Sequence, residues 1–462
     1  MMSRRRPLVL LTIALVLAAG GTTALLLRDD DDGGSARTTA TAQGARTLAE
    51  LRPERIIARV EQIRGLRLKR RPRFRVVDSG QVARLIRRQE RQDGGAGSSR
   101  EDRVNVAMLK LIGLLRPDAD LRRIQTTLAE DGFLGFYDGD RNEMVIIKRG
   151  PRLPVSAEST IAHELVHAID DQHFGIFRRA QRLARRGDED AQLAYTSVVE
   201  GNAEAVATAY VSRYHVPSED PGDAQQAKRL ERQLPFGLLL SLGFPYAFGE
   251  SFVGALGAPG DSPRLARALT DRRPRSSSEI LDPLRYAARA GTASVRVDAE
   301  RLLGPRWVPL QPADVLSAVD LLSLLATRER DAAAAVPLAM AWRGGRYAYL
   351  RERSADGRGC AAPCTSRDAF VGAVRLNSAA NARKAASIFG QTVERRRGRR
   401  VGPDAWQVAG GAVAVRTSGA QTTFAYAPTA GLAVRLAERA ARSRPAPPLR
   451  PYPTADSGTP AR

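Results

Sequence analysis

The sequence predicts an α+β protein, in which a mainly helical larger domain with a small antiparallel sheet precedes a smaller C-terminal α+β unit. The first observation is size, since 462 residues with 43% hydrophobic content can bury a sizeable core and form two or three structural units. The second is helical apolar spacing before residue 330, interrupted by a hairpin with an Asp-Gly turn between Phe136 and Ile147. The third is a change after Leu338, where short strand-like runs alternate with helical ones.

Changes of composition divide the chain into five segments. One stretch rich in Gly, Ser, Thr and Ala indicates a flexible linker, and a Pro-rich C-terminus indicates a disordered tail. We expect an N-terminal membrane segment at residues 1–32, the linker at 33–48, the larger domain at 49–330, the C-terminal unit at 331–442 and the tail at 443–462. Within the larger domain, the pattern of apolar residues predicts a strand at Phe74–Val77. It also predicts helix from Leu303 to about Arg328.

An uncharged stretch near the N-terminus resembles a membrane segment. It runs from Pro7 to Leu27, about 21 residues, which is close to the length that a bilayer core requires. Arg4–Arg6 precede it, and this placement of positive charge directs the rest of the chain out of the cytoplasm. Small residues at Ala18–Gly21 offer a signal peptidase site, so cleavage is the alternative to an uncleaved anchor. We expect a single-pass membrane protein with an extracytoplasmic body, or a secreted protein if the segment is cleaved.

The formal net charge of +22 comes almost wholly from arginine and favours anionic partners. Nucleic acid, acidic membrane lipids and anionic envelope polymers all fit this charge, and charge alone chooses none of them. Nothing in the sequence indicates recognition of a specific nucleic acid. A solvated, arginine-rich surface without a partner is the alternative. The chain has two cysteines, Cys360 and Cys364, for which we expect a small disulfide ring, because a structural zinc there would need two more ligands.

The segment His163–His167, read His-Glu-Leu-Val-His, contains two of the four histidines of the chain. The spacing predicts a helix that opens after Pro154, near Ser156, and ends at Gly175. Residues four apart lie one turn apart on the same helical face, so both imidazoles can reach one metal ion. Glu164 lies beside the first histidine and suits the role of general base, taking a proton from a water that the metal acidifies.

A catalytic zinc site usually has three protein ligands, and Glu200 is the candidate for the third. It lies on a helix predicted from about Ala191 to Tyr214, with Glu204 four residues later on a face of small apolar residues. Like charges at this spacing repel, and a nearby cation would remove the conflict. Gly201 would let another helix approach closely. Glu204 is the replacement ligand if Glu200 is only a solvated carboxylate.

Other polar residues near the motif have open roles. Asp171 either orients His167 or the helix, or is only a polar boundary, and His173 is expected to pack under the following loop. The residue that would stabilise an oxyanion is not fixed by the sequence; the eligible side chains are Tyr210, Tyr214, His215 and Tyr246. The strand Met144–Ile147 could pair with an extended peptide substrate, or be an ordinary internal strand.

These motifs resemble the gluzincin superfamily of metallopeptidases, in which His-Glu-x-x-His is followed by a ligand Glu on a second helix. The resemblance implies a zincin-like domain with Zn²⁺ held by His163, His167 and Glu200, Glu164 as base, and Glu204 and Asp171 in support. The family more often has Asp at the place of Glu204. A closer resemblance is to poorly characterised bacterial and archaeal zincin-like proteins, through Gly135–Asp138 and His163–Phe174, and it covers residues 100–290.

The sequence therefore predicts a membrane-anchored zinc peptidase that acts on protein or peptide substrates outside the cytoplasm. One alternative is an inactive protein of the same fold that binds or scaffolds the envelope through its basic surface. Another is a zinc hydrolase that cleaves a different amide or an ester.

Overall fold

The protein is described here by a computed structural model. It describes residues 47–78, 80, 81, 100–120, 124, 134–148, 150–220, 225, 228, 231–297, 303–354, 360 and 362–442. The expected membrane segment and tail, and all but the end of the expected linker, lie outside these residues. The chain forms two compact units, the first made of residues up to Val106 and of Leu115–Pro283, the second of Ala107–Leu114 and Leu284 onward.

The first unit is mainly helical, as expected. Its elements in chain order are α1 (Leu48–Leu51), α2 (Pro53–Arg64), β1 (Arg73–Asp78), the start of α3 (Arg100–Leu111), β2 (Gly135–Asp138), β3 (Glu143–Lys148), α4 (Ala157–Phe174), α5 (Ile176–Arg186), α6 (Glu189–Tyr214), α7 (Phe236–Ala255), α8 (Pro263–Leu269), α9 (Ser277–Leu281) and the first residue of α10 (Pro283–Ala287). The predicted strand at Phe74–Val77, the hairpin and both helices that carry the candidate ligands are all present.

The sheet of the first unit has the order β1–β3–β2. β2 and β3 form the expected antiparallel hairpin, with Tyr137 opposite Met144. β1 pairs with the other edge of β3 in parallel, with Phe74 opposite Met144, so the sheet is mixed rather than wholly antiparallel. β3 is central, and its residues Met144–Ile147 are almost completely buried.

The main core of this unit surrounds α4. Its apolar stripe, which includes Ile161, Leu165 and Ile169, packs with apolar residues of α2, β3 and α6. Gly175 ends α4 in the left-handed conformation, with φ of 63°, and its N–H donates to the carbonyl of Asp171. A residue with a Cβ is disfavoured there, which explains why the helix ends at this glycine. α6 begins at an N-cap, Asp188, whose carboxylate accepts from the N–H of Ala191.

α7 has the length and apolar composition that a membrane span requires, and no other helix among the described residues does. Most of it is buried within the protein, and buried core helices meet the same criterion.

The second unit contains an antiparallel sheet of eight strands. Beyond α10, its elements are β4 (Trp307–Pro309), β5 (Asp314–Val315), α11 (Ala318–Leu325), α12 (Glu329–Met340), β6 (Trp342–Glu352), β7 (Asp368–Leu376), α13 (Ala379–Arg395), β8 (Arg399–Gly402), β9 (Ala405–Val408), β10 (Gly411–Ser418), β11 (Gln421–Ala427) and α14 (Ala430–Ala441). The strand order is β4–β6–β7–β11–β10–β9–β8, and β5 also pairs with β6. The predicted α+β class is confirmed.

Side chains alternate between the two faces of this sheet. One face is rich in alanine and packs against α14 through residues such as Ala433 and Leu436. The other face carries aromatic residues, and Phe389 of α13 contacts the rings of Phe424 and Tyr426. Each helix therefore covers one face, as expected for an α+β layer architecture.

The expected boundary at residue 330 lies inside the second unit. The physical reason is that residues 307–309 and 314–315 are strands paired with β6, so they belong to its sheet. They replace the first part of the helix that the sequence indicated from Leu303, and α11 is what remains of it.

Cys360 and Cys364 form the expected disulfide. Beside it, the fully buried carboxylate of Asp368 accepts hydrogen bonds from the N–H of Cys364, the hydroxyl of Tyr349 and the guanidinium of Arg351.

Candidate metal centre

The two histidines of the motif lie one turn apart on α4 and are almost completely buried. Their rings are 4.9 Å apart between centroids and nearly perpendicular. His163 is 2% exposed and His167 is 3% exposed. Because α4 lies at the centre of the core, its position is fixed by packing on both sides, and the imidazoles are presented from a rigid helix.

Glu200 of α6 completes the predicted group. One oxygen of its carboxylate, Oε2, lies 3.3 Å from Nε2 of His163 and 3.4 Å from Nε2 of His167. The carboxylate is 1% exposed. One ligand atom from each of the three residues lies within 4.8 Å of the other two, so the group could bind a metal ion.

The distances between donors fit a tetrahedral ion. Donors at 2.0 to 2.2 Å from zinc in tetrahedral geometry are about 3.3 to 3.6 Å from each other. Both distances from Glu200 to the histidines fall in this range. Two imidazoles and one carboxylate are a donor set that zinc accepts, and three protein ligands leave one position free. The residues present therefore fit the expected ion.

Glu204 lies where the sequence predicted support for a ligand. Its Oε2 is 3.4 Å from Nδ1 of His163, the ring nitrogen opposite the one that faces Glu200. A carboxylate in this place can fix the ring orientation and the tautomer of a ligand histidine. At this distance the contact is an ion pair without hydrogen-bond geometry, since Nδ1 of His163 has no hydrogen-bond partner among the described residues.

Asp171 does not take the role of orienting His167. Its carboxylate accepts from the N–H of Phe177, at 3.3 Å, and so anchors the start of α5. Nδ1 of His167 has no hydrogen-bond partner among the described residues. Asp171 lies four residues after His167, where the helix is already about to end at Gly175, and its side chain turns toward the next helix.

The carboxylates around the histidines set their protonation. Burial lowers the pKa of His163, but hydrogen bonding to Glu200 and the close carboxylate of Glu204 outweigh burial and raise it to about 10. Burial likewise lowers the pKa of His167, but the charge of Glu200, the hydrogen bond to it and the charge of Glu164 together outweigh burial, so the pKa is raised. In return, the two histidines overcome the effect of burial on Glu200 and lower its pKa to about 2. Glu200 is thus negatively charged and is paired with the histidines that lower its pKa.

Glu164 lies beside the ligands and points to the sheet. Its Oε2 accepts from the N–H of Tyr137 on β2, at 2.9 Å, and the residue is 5% exposed. Burial raises the pKa of its carboxyl, although His167 and His163 act in the opposite direction. A carboxyl group with a raised pKa is a better proton acceptor in the range where enzymes operate.

Of the four candidate oxyanion donors, only Tyr246 is brought to the site. It lies on α7 and is buried, and burial together with the charges of Glu200, Glu164 and Glu204 raises its pKa well above 10. Its hydroxyl therefore remains protonated, and it is hydrogen-bonded to the carboxylate of Glu200.

The other three candidates have different surroundings. The hydroxyl of Tyr210 donates to Glu158 at 2.8 Å, and that of Tyr214 bonds the side chain of Gln62. His215 is an exposed residue that ends α6 in the left-handed conformation. His173, expected under the loop after α4, is 2.8 Å from the carbonyl of Arg67 through Nε2, which agrees with a structural role.

The strand Met144–Ile147 is not free to pair with a peptide. β1 and β2 occupy both of its edges, so the suggestion of strand addition at β3 is wrong. The sequence suggested it because β3 directly precedes the metal helix along the chain. The partner on its outer edge, β1, comes from residues far earlier and forms a parallel pair that no local turn announces.

The sequence missed a buried polar group next to the ligands. Asp170 accepts from Arg64 and from Asn202, and all three side chains are at most 1% exposed. One signal pointed to it, since Asn202 is an amide among the small and apolar residues that surround it along α6. A buried amide needs a partner, but its partner could not be found without the fold.

One family matches part of the chain, and its model covers residues 309–437. The family is described as a domain of unknown function, DUF8575, and the match lies within the second unit. No curated protein and no solved structure matches the chain.

Proposed function

We propose that this chain is a zinc-dependent peptidase whose metal is held by His163, His167 and Glu200. The donor types and their separations support zinc over magnesium or calcium, which prefer oxygen ligands in larger number. The negative charge of Glu200 and the orientation of His163 by Glu204 prepare the site for a cation.

Zinc bound there would act as a Lewis acid that polarises a peptide carbonyl and lowers the pKa of a water molecule. We assign to Glu164 the role of taking the proton from this water and passing it to the departing amine. Its raised pKa favours both transfers, since the group can hold the proton between them. The N–H of Tyr137 fixes one oxygen of the carboxylate, which leaves the other for the proton.

Tyr246 is the residue that we assign to the developing negative charge on the substrate oxygen. A buried hydroxyl that stays protonated can donate a hydrogen bond to an oxyanion, and the low-dielectric surroundings strengthen that bond. This assignment selects one of the four residues that the sequence left open.

The observation that carries the proposal is the position of Glu164 beside a complete group of three ligands. The test is Glu164→Gln, which we expect to keep zinc bound and to abolish cleavage of a peptide library. Glu158→Gln is the matched control, because Glu158 is also a buried carboxylate of α4 but bonds Tyr210 away from the ligands. Cleavage by Glu164→Gln at the rate of the parent would refute the mechanism.

A metal-holding protein without hydrolytic activity is the second candidate. The observation in its favour is the closed site, in which no ligand is more than 3% exposed. It predicts bound zinc in the parent with no cleavage of peptides, amides or esters, together with salt-sensitive binding to an anionic polymer. Cleavage of a small ester or amide but of no peptide would instead favour the broader class of zinc hydrolases.

We also propose that the protein acts outside the cytoplasm, anchored by residues 1–32. The disulfide between Cys360 and Cys364 supports this location, since disulfides persist in oxidising compartments. Protease accessibility of a C-terminal tag on intact cells tests it, and protection of the tag until lysis would contradict it.

A further inference from the structure

Behind the ligands, a buried charged group connects three helices. Nε and Nη2 of Arg64 on α2 donate to Oδ1 of Asp170 on α4, at 2.9 and 2.8 Å. Nδ2 of Asn202 on α6 donates to Oδ2 of the same carboxylate, at 2.6 Å. Arg64 also donates through Nη1 to the carbonyl of Gly260, at 2.7 Å. Both carboxylate oxygens of Asp170 thus accept hydrogen bonds, and Arg64 is almost completely buried.

This group lies close to the ligands on both helices that carry them. Asp170 follows His167 by three residues, and Asn202 follows Glu200 by two. With a rise of about 1.5 Å per residue, each anchor is within about 5 Å of a ligand along its helix axis. A displacement at the Asp170–Asn202 bond would therefore move a ligand by a similar amount.

Two other polar links join α4 and α6, namely the Tyr210–Glu158 hydrogen bond in the first turn of α4 and the contacts of Glu200 with the histidines. The remaining contact, which lies beside Asp170 and Asn202, is apolar. Ala203 and Val206 of α6 pack in the same core as Leu165 and Ile169 of α4. Such contacts are not directional and tolerate a small slide of one helix along the other. A short hydrogen bond to a carboxylate is directional and excludes that slide.

We propose that Asp170 and Asn202 are positioning residues for the metal ligands and that Arg64 holds Asp170 in place as its buried counterion. The inference rests on the proposed metal site. Asn202 fixes Glu200 relative to His163 and His167, so that the three donors keep the separations that a tetrahedral ion requires. Arg64 brings α2 into the same arrangement, so residues 53–64 are then a part of the structure that supports the metal site.

Asn202→Ala is the direct test, because it removes one hydrogen bond and leaves the Arg64–Asp170 pair intact. Ser197→Ala is the matched control. Ser197 is also buried on α6, three residues before Glu200, but its hydroxyl bonds the carbonyl of Leu193 within the same helix. The two variants lose comparable polar groups, and only one of these groups reaches α4.

Three quantities are measured on the full chain: the dissociation constant of Zn²⁺ by competition with a chromophoric chelator, the absorption spectrum of the Co²⁺ form, and the melting temperature without metal. We expect Asn202→Ala to bind Zn²⁺ 10- to 100-fold more weakly, as is typical when a group supporting a ligand is lost. Its Co²⁺ spectrum should differ from that of the parent. Ser197→Ala should match the parent in both.

A lower melting temperature with the affinity and Co²⁺ spectrum of the parent would show that Asn202 only stabilises the fold, and would overturn the inference. If Asn202→Ala does not fold, Asn202→Leu fills the same space and gives the same comparison. A parent that binds no Zn²⁺ would overturn the proposed function itself, so the two failures are distinguishable.

Discussion

A Cβ atom on Gly201 would lie only 2.2 Å from the carbonyl carbon of Gly249, so α6 and α7 touch through their backbones at this point. The reverse is also true, since a Cβ on Gly249 would lie 2.2 Å from the carbonyl oxygen of Ser197. The expected close approach of a helix at Gly201 is confirmed. The contact lies next to Glu200 on one helix and three residues after Tyr246 on the other, so it brings the tyrosine to the ligands.

Gly201→Ala should therefore destabilise the first unit. The added methyl group meets backbone atoms, which cannot rotate away, and we expect a loss of about 3 kcal/mol, the upper part of the usual range for overpacking. Gly254→Ala on α7 is the control, because a Cβ there meets nothing within 4 Å. It should stabilise the helix by about 0.5 to 1 kcal/mol. Urea unfolding followed by far-ultraviolet circular dichroism compares them, and equal stabilities would contradict the packing argument.

Tyr246→Phe should lower kcat by about 10²- to 10³-fold, since it removes the donor that we assign to the charge developing on the substrate. Zn²⁺ affinity should change much less, although the variant also loses the hydrogen bond of this hydroxyl to Glu200. Tyr210→Phe removes a hydroxyl that bonds Glu158 and should leave kcat within about threefold of the parent's if only that distant bond matters. Steady-state kinetics on a cleaved peptide measures both. Equal kcat values for the two variants would remove Tyr246 from the mechanism.

The stability of the metal-free protein should depend on pH through the site. The pKa of His163 is raised from 6.5 to about 10, so its contribution is complete below pH 6.5 and is lost as the pH rises toward 10. The pKa of Glu200 is lowered from 4.5 to about 2, so its contribution is complete above pH 4.5 and is lost as the pH falls toward 2. The two contributions are both complete between pH 4.5 and 6.5.

Zinc should reverse the alkaline trend, because the ligands must lose their protons to bind it. We expect the melting temperature in excess chelator to fall from pH 6.5 to pH 9, while the increase produced by Zn²⁺ becomes larger over the same interval. His163→Gln should lose most of both effects. A melting temperature in chelator that rises over this interval would show that the His163–Glu200 pair does not determine how the stability of the metal-free protein depends on pH.

Asp368→Ala should strongly destabilise the second unit. It leaves the Arg351 guanidinium, the Tyr349 hydroxyl and the N–H of Cys364 without their common acceptor. Arg351 is partly exposed, but each buried polar group left unpaired typically costs about 1 to 3 kcal/mol. Asp404→Ala is the control, since Asp404 is 54% exposed and its pair with Arg416 should contribute at most about 1 kcal/mol.

Tryptophan fluorescence follows this experiment selectively. All three tryptophans, Trp307, Trp342 and Trp406, lie in the second unit. A loss of stability for Asp368→Ala no greater than for Asp404→Ala would show that the buried carboxylate is not needed to hold this region.

The sequence was sufficient for the parts of the site that depend on one helix at a time. The His163–His167 spacing and the stop at Gly175 are local features, and the two carboxylates of α6 were conspicuous on a helix of small apolar residues. That a carboxylate of α6 lies beside the histidines of α4 was expected on chemical grounds, since a zinc site with two histidines needs a third protein ligand. The geometry agrees with that reasoning.

The rest depends on packing between segments that are distant in sequence. Tyr246 lies on a helix so apolar that its tyrosine reads as a core residue, and only the Gly201–Gly249 contact brings it to the ligands. β4 and β5 have three and two residues, too few to show the alternation of a strand. They also lie in a segment whose apolar residues have helical spacing. Their identity depends on pairing with β6.

The ion pair between Arg64 and Asp170 also constrains the order in which the first unit can fold. The two residues are separated by 106 positions along the chain, so a ribosome must add more than a hundred residues after Arg64 before its partner exists. Closing so long a loop has a high entropic cost, which neither α2 nor α4 can offset alone. A nascent chain that ends before Asp170 keeps its arginine in water, and α2 acquires its final place only when α4 and α6 have both been made.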